Sequence, residues 1–218
     1  RDMPSRDVGG FRTPESFGTF IQDQSHKTMR VLFQVDPENI ATMQVDNLMQ
    51  ALRCVLKIIP QLTSGRRVSR VILPKQYKYS GHTDFTTSMR GIGVDMEVVT
   101  VPEVQIDGSQ DFRALEEAFE KILDDGRTAI FIDQEHNNNA SGFDRDPSLN
   151  QTLVVLLKKY SGVIFYFGDN AYKGLKEDIL EPYPLMQLLI DAEVLAFSYT
   201  SFSKIGNYRG TPNYKNIL

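Results

Sequence analysis

One cysteine, Cys54, stands among 218 residues. It cannot form an internal disulfide, which suits the cytosol or the mitochondrial matrix. No apolar run is long enough to span a bilayer, so membrane insertion is not expected. A secretory signal is not expected from the residues given. The chain begins with Arg1 rather than Met, so the natural amino terminus is expected to be missing or processed. Basic residues are not in excess: 24 Lys and Arg stand against 28 Asp and Glu, for a net charge of -4. That balance leaves no electrostatic footprint for nucleic acid. The densest basic group, Arg66, Arg67 and Arg70, reads as a solvated loop edge. Internal repeats and low-complexity tracts are also lacking.

What is present is ordinary globular composition, 41% hydrophobic and 24% charged, in a chain long enough for one large domain. Residues 1–40 are punctuated by Pro4, Gly9-Gly10, Pro14 and Pro37 and read as an irregular amino-terminal arm. From Ala41 to Leu62, apolar Met43, Leu48, Leu52, Leu56 and Ile59 recur at helical spacing. Strands are expected at Val68 to Leu73, Met96 to Val101, Thr128 to Ile132, Val163 to Phe167 and Val194 to Tyr199. Helices are expected at Phe112 to Leu123, with Leu115, Phe119 and Leu123 on one face, and at Pro184 to Asp191. Asp146-Pro147-Ser148 starts another helix, with Leu149, Leu153 and Leu156 facing inward. Asp169 to Asp178 reads as a loop. Strands that alternate with helices and are apolar on both faces imply an α/β three-layer sandwich with a mostly parallel sheet.

Two motifs follow the last two strands. Asp169-Asn170-Ala171-Tyr172 comes after Gly162 to Phe167, and Ser201-Phe202-Ser203-Lys204 after Val194 to Tyr199. Ligands bind open α/β sheets at the carboxyl ends of the strands. An acid, a phenol, hydroxyls and an amine would gather on that rim, and a lysine with an acid is the equipment for holding pyridoxal phosphate. Each residue also has a plain reading. Asp169 is a helix cap or loop acid, Tyr172 a core tyrosine, Asn137 to Asn139 a turn, and Lys204 a surface lysine.

The ordered set of motifs resembles the large domain of fold-type I pyridoxal-phosphate aminotransferases, the aspartate aminotransferase-like group most of all. Val8-Gly9-Gly10-Phe11-Arg12-Thr13 resembles the family's V-G-x-Y-R-T, and Gln50-Ala51-Leu52-Arg53 its G-A-L-R. His136 to Asp144 resembles H-N-P-T-G-x-D with an insertion. Asp169 to Gly174 resembles D-x-A-Y-Q-G, and Ser201 to Lys204 the S-x-S-K of the Schiff-base lysine. The likeness runs from about Ala41 to Lys204, with a trace near Val8.

The resemblance implies pyridoxal 5'-phosphate as cofactor, with Lys204 as its Schiff-base lysine and the proton carrier. It implies Asp169 against the ring nitrogen, and Tyr172 and Asn139 at the phenolic oxygen. Ser201, Ser203, Arg209 and Asn47 would meet the phosphate, and Tyr79, with Tyr77 second, would stack on the ring. The implied activity is ping-pong transamination between an acidic or aromatic amino acid and a 2-oxo acid. The implied partner is a second copy or a larger assembly. Residues 41–218 would form the cofactor-binding large domain, truncated at its carboxy-terminal side, with the family's small carboxy-terminal domain absent.

Some stretches depart from the family. Where it has a small-residue phosphate turn, this chain has Asp46-Asn47-Leu48-Met49, in which Asp46 would repel phosphate and only Asn47 is a usable donor. Arg209 arrives about three residues earlier than the family's phosphate arginine. These departures support an alternative, a catalytically inactive aminotransferase-like domain serving as a structural subunit or scaffold.

Overall fold

The computed structural model describes residues 30, 33–36, 38, 41, 43, 45, 47–75, 78–79, 83–91, 95–135, 142–171 and 182–200. Helix α1 (Leu48–Leu62) leads into strand β1 (Arg70–Pro74). A small antiparallel pair, β2 (Lys78–Tyr79) and β3 (Thr83–Asp84), comes next, then α2 (Phe85–Gly91) and β4 (Glu97–Val101). Three strand and helix repeats follow. They are α3 (Phe112–Asp124) with β5 (Ala129–Asp133), α4 (Asn150–Lys159) with β6 (Ile164–Asp169), and α5 (Leu185–Asp191) with β7 (Ala196–Tyr199).

Five strands form one sheet in the order β4-β1-β5-β6-β7, and every neighbouring pair is parallel. Alternate side chains point to opposite faces. Val71, Ile130, Ile132, Phe165 and Phe167 pack with Leu48, Leu52, Val55 and Ile59 of α1 and with Met89 of α2. Ile72, Phe131 and Tyr166 pack on the other face with Leu115 and Phe119 of α3, Leu153 and Leu157 of α4, and Leu185 and Leu189 of α5. The result is the helix, sheet, helix sandwich that the alternation implies. Strands β1, β5 and β6 are buried along their whole length, whereas β4 and β7 at the ends of the order are partly exposed. Each fully buried large apolar side chain contributes roughly 1.5–3 kcal/mol. Phe119 meets Phe131 and Tyr160 edge to face, with ring centroids 5.7 and 5.5 Å away.

Several boundaries differ from the sequence reading. The first helix starts at Leu48 rather than Ala41, because the Asn47 side chain accepts from the Gln50 N–H and caps it. On α3 the buried face is Leu115, Ala118, Phe119 and Ile122, while Leu123 is half exposed. Asp146 caps a 3-10 turn, Pro147–Leu149, that precedes α4. The Ser148 backbone N–H holds the Asp146 carboxyl below its ordinary value. Strand β6 runs on through Gly168 and Asp169, so Asp169 is its last residue and not the first of a loop. Among the described residues, no helix is long and apolar enough to cross a membrane.

Candidate functional site

Within the five-stranded sheet, the next strand after β1 in chain order is β4, on one side of it, whereas β5 lies on its other side and is followed outward by β6. The carboxyl ends of the adjacent β1 and β5 therefore bound the crevice where such sheets bind ligands. Asp169 ends the next strand, β6. Strand alternation places it on the α1 side of the sheet, with Phe165 and Phe167. It is buried, and its Oδ2 accepts a hydrogen bond of 2.7 Å from Gln134 Nε2, also buried, just past β5. Burial of a carboxylate is costly unless it is paired or hydrogen-bonded, and the Gln134 amide supplies one such bond.

Asp169 faces Tyr199 across the β6–β7 ladder. The following residue stitches the two strand ends together. The Asn170 N–H donates to the Tyr199 carbonyl at 2.8 Å, and Asn170 Nδ2 donates to Ser198 Oγ at 2.9 Å. Thr200 Oγ1 donates back to the Asn170 carbonyl at 3.3 Å. This closure needs a glycine at 168. A Cβ there would meet Asn170 Nδ2 at 2.7 Å and Tyr166 Oη at 3.1 Å. The ends of β6 and β7 are thereby held side by side, and Tyr199, the last residue of β7, lies five residues before Lys204 in the sequence.

On the opposite face lies a buried polar cluster. Arg145 Nη1 donates to both oxygens of Asp133, at 2.9 and 2.7 Å, and to Gln110 Oε1 at 3.2 Å. Its Nε donates to Asn150 Oδ1 at 3.1 Å. Asn150 Nδ2 donates to Glu135 Oε1 at 2.9 Å and to the Tyr183 carbonyl at 2.8 Å. The Arg145 N–H donates to the Glu135 carbonyl at 3.0 Å. Tyr166 Oη donates to Asp133 Oδ2 at 3.1 Å. Burial pushes the Tyr166 phenol well above its ordinary value, and the negative charge of Asp133 pushes it further. For Arg145, burial opposes the charge, but Asp133 leads a set of neighbours that outweighs it, and the guanidinium pKa is raised. Gln134, Asp133, Arg145 and Asn150 were not singled out in the sequence. The available signal was the polar run Asp133-Gln134-Glu135 directly after an apolar strand.

The residues singled out in the sequence fall as follows. Asp169 is buried at the rim. Asn47 is exposed at the start of α1, with its carbonyl used by its own helix and its amide group left as a donor. Leu48 and Met49 are buried in the cluster that contains Phe167 and Tyr199. Tyr79 lies on β2, paired with Thr83. Lys204, Tyr172, Asn139, Ser201, Ser203, Arg209, Tyr77 and Asp46 lie outside the described residues.

No family model matches the sequence, and no curated protein matches it. Solved structures do. An aromatic-amino-acid aminotransferase from Burkholderia pseudomallei, covalently bound to pyridoxal phosphate, superposes with a TM-score of 0.65 at 19% identity, over 91% of this chain and 47% of that one. The chain has the fold of an aminotransferase large domain. A broad-specificity aminotransferase from Leishmania mexicana gives 0.61 at 17% identity, over 88% of this chain and 46% of that one. An archaeal alanine:glyoxylate aminotransferase gives 0.62 at 15%, over 90% and 44%. The chain thus spans about half the length of the structures it matches. At these identities the likeness establishes the fold alone.

Proposed function

We propose that this chain is the cofactor-binding part of a pyridoxal-phosphate-dependent aminotransferase acting on an acidic or aromatic amino acid and a 2-oxo acid. The observation that carries the reading is the pairing of β6 with β7. It holds buried Asp169 beside the strand end that leads into Ser201-Phe202-Ser203-Lys204. The ring end of the site suits the cofactor, because a carboxylate there has one oxygen fixed by Gln134.

Asp169 would face the ring nitrogen and hold its proton. Gln134 would keep the carboxylate oriented. Lys204 would carry the cofactor and then move a proton at the substrate Cα. Tyr172 and Asn139 would hydrogen-bond the phenolic oxygen, and Tyr79 would cover a ring face. Ser201, Ser203, Arg209 and the amide of Asn47 would hold the phosphate. Bound pyridoxal phosphate supplies the electron-withdrawing ring that accepts the charge left when the Cα proton departs. The substrate clamp would come from the rest of a longer protein or from a partner subunit, in a homodimer or larger assembly. Residues 41–218 would be the cofactor-binding domain and 1–40 an arm. Lys204→Ala should abolish visible cofactor absorbance; unchanged absorbance would overturn the assignment.

One observation favours a second reading, an inactive domain kept as a scaffold. The start of α1, where the resemblance places a phosphate cradle, is capped by its own Asn47, and Leu48 and Met49 are built into the core. On that reading pyridoxal phosphate does not bind at all.

A further inference from the structure

The opposite, amino-terminal end of the sheet carries a cleft of about 420 Å³ lined by Arg66, Arg67, Ser69, Gly126, Arg127 and Thr128. That volume falls within the roughly 300–1,000 Å³ common for small-ligand sites. Three arginines meet there from two segments, in a chain whose net charge is -4. They are exposed, and among the described residues none has a carboxylate partner.

The fourth arginine nearby shows the contrast. Arg70 is buried, with ion pairs to Glu97 at 2.9 Å and Asp125 at 2.5 Å. It therefore neutralises Asp125, the acid next to Gly126 in the cleft wall. Only Arg66 and Arg67 of the basic run remain as solvated charge, and Arg127 joins them.

The cleft is held in shape by its own bonds. Arg66 Nη1 donates to the Gly162 carbonyl, which fixes one guanidinium. Gly162 has φ +78, and a Cβ there would sit 3.0 Å from that Nη1, so the glycine makes room for the arginine. Thr128 Oγ1 donates to the Arg67 carbonyl, joining the two arginine-bearing segments. The Ser69 and Arg70 N–H groups add bonds to the Thr128 carbonyl at 3.1 and 3.3 Å. Among the described residues, the guanidinium groups of Arg67 and Arg127 have no hydrogen-bond partner, on backbone that is pinned.

Guanidinium forks match the oxygens of a phosphoryl group in pairs and bind them by charge-assisted hydrogen bonds. We propose that Arg66, Arg67 and Arg127 form a binding site for a small, soluble, multiply charged phosphoryl anion. The site uses none of the residues assigned to the cofactor, so it stands or falls separately from that assignment.

The test is calorimetric titration of the full chain with inorganic pyrophosphate, on the wild type and on Arg67→Ser/Arg127→Ser. Both residues are exposed, so the variant should keep the wild-type unfolding temperature in the absence of ligand. The expected result is saturable binding by the wild type, weakened roughly tenfold or more in the variant and by added salt. Arg209→Ala, which removes the arginine assigned to the cofactor's phosphate, should bind pyrophosphate as the wild type does, which separates this cleft from that subsite. Equal binding by wild type and the double variant would overturn the proposal, as would no saturable binding. Binding to phosphoinositide-containing phosphatidylcholine vesicles without binding to pyrophosphate would also overturn it.

Discussion

Gln134, just past the end of β5, donates from Nε2 to Asp169 Oδ2, at the end of the adjacent β6, at 2.7 Å, and both side chains are buried. A hydrogen bond to an ionised carboxylate is worth about 1.5–3 kcal/mol, more than a neutral one. Gln134→Leu should therefore cost stability of that order, measured by denaturant unfolding. Gln134→Glu should cost more at neutral pH, because it sets two carboxylates against each other. A Gln134→Leu protein as stable as wild type would show that the bond contributes nothing.

The Arg145 and Asp133 pair sets a second expectation. Both are enclosed, and the two Nη1 contacts to one carboxylate are short. Removing one partner strands the other charge, which costs about 3–5 kcal/mol, whereas replacing both can be nearly neutral. Arg145→Leu should fall in that range. Arg145→Leu with Asp133→Leu should be more stable than Arg145→Leu alone. A double variant whose loss equals the sum of the two single losses would contradict the pairing.

Gly168→Ala tests the closure between β6 and β7. The added methyl would meet the Asn170 amide nitrogen at 2.7 Å. Overpacking of this kind costs typically 1–3 kcal/mol. The loss should shrink in Gly168→Ala/Asn170→Ala, where the obstructing amide is gone. An equal loss with and without Asn170 would place the strain elsewhere.

Tyr166 gives a pH dependence with a definite sign. Burial, reinforced by Asp133, raises its folded-state pKa well above the ordinary 10.0. The unfolded phenol releases its proton near 10 and the folded one does not. The stabilisation is complete below pH 10 and declines as the pH climbs above it. Unfolding free energy measured from pH 8 to 11 should fall less steeply in Tyr166→Phe than in wild type. Identical slopes would mean that Tyr166 does not set the alkaline limit.

The fold was legible wherever one residue's fate depends on its near neighbours. The apolar runs of β5 and β6, buried on both faces, could only be central strands. The Leu115 to Phe119 step announced α3; its Asp111 cap emerged only in the structure. The spacing misled at Leu123, because two steps of four rotate a helix by about 80° from the starting face, and Ile122 takes the buried place. The two-residue strands β2 and β3 and the short α2, with its Thr86-Thr87-Ser88, carry too little periodicity to read.

The candidate site was legible in part for the same reason. Asp169 announces itself at the end of a strand. Arg145, between Asp144 and Asp146, looks like a solvated charge. Its burial depends on Gln110, Asp133 and Asn150, which come from separate segments and meet only in the folded chain. Arg70 misleads in the same way, since its partners Glu97 and Asp125 are distant in sequence.

The account's central claim is that β7 delivers Lys204 to a cofactor whose ring faces Asp169. The measurement that tests it most directly is titration of the full chain with pyridoxal phosphate, followed by borohydride trapping and peptide mapping. The account expects saturable binding and a single trapped adduct on Lys204, with binding weakened in Asp169→Ala. Absence of a specific adduct, or an adduct on another lysine, would contradict it and leave the chain as a scaffold with an aminotransferase fold.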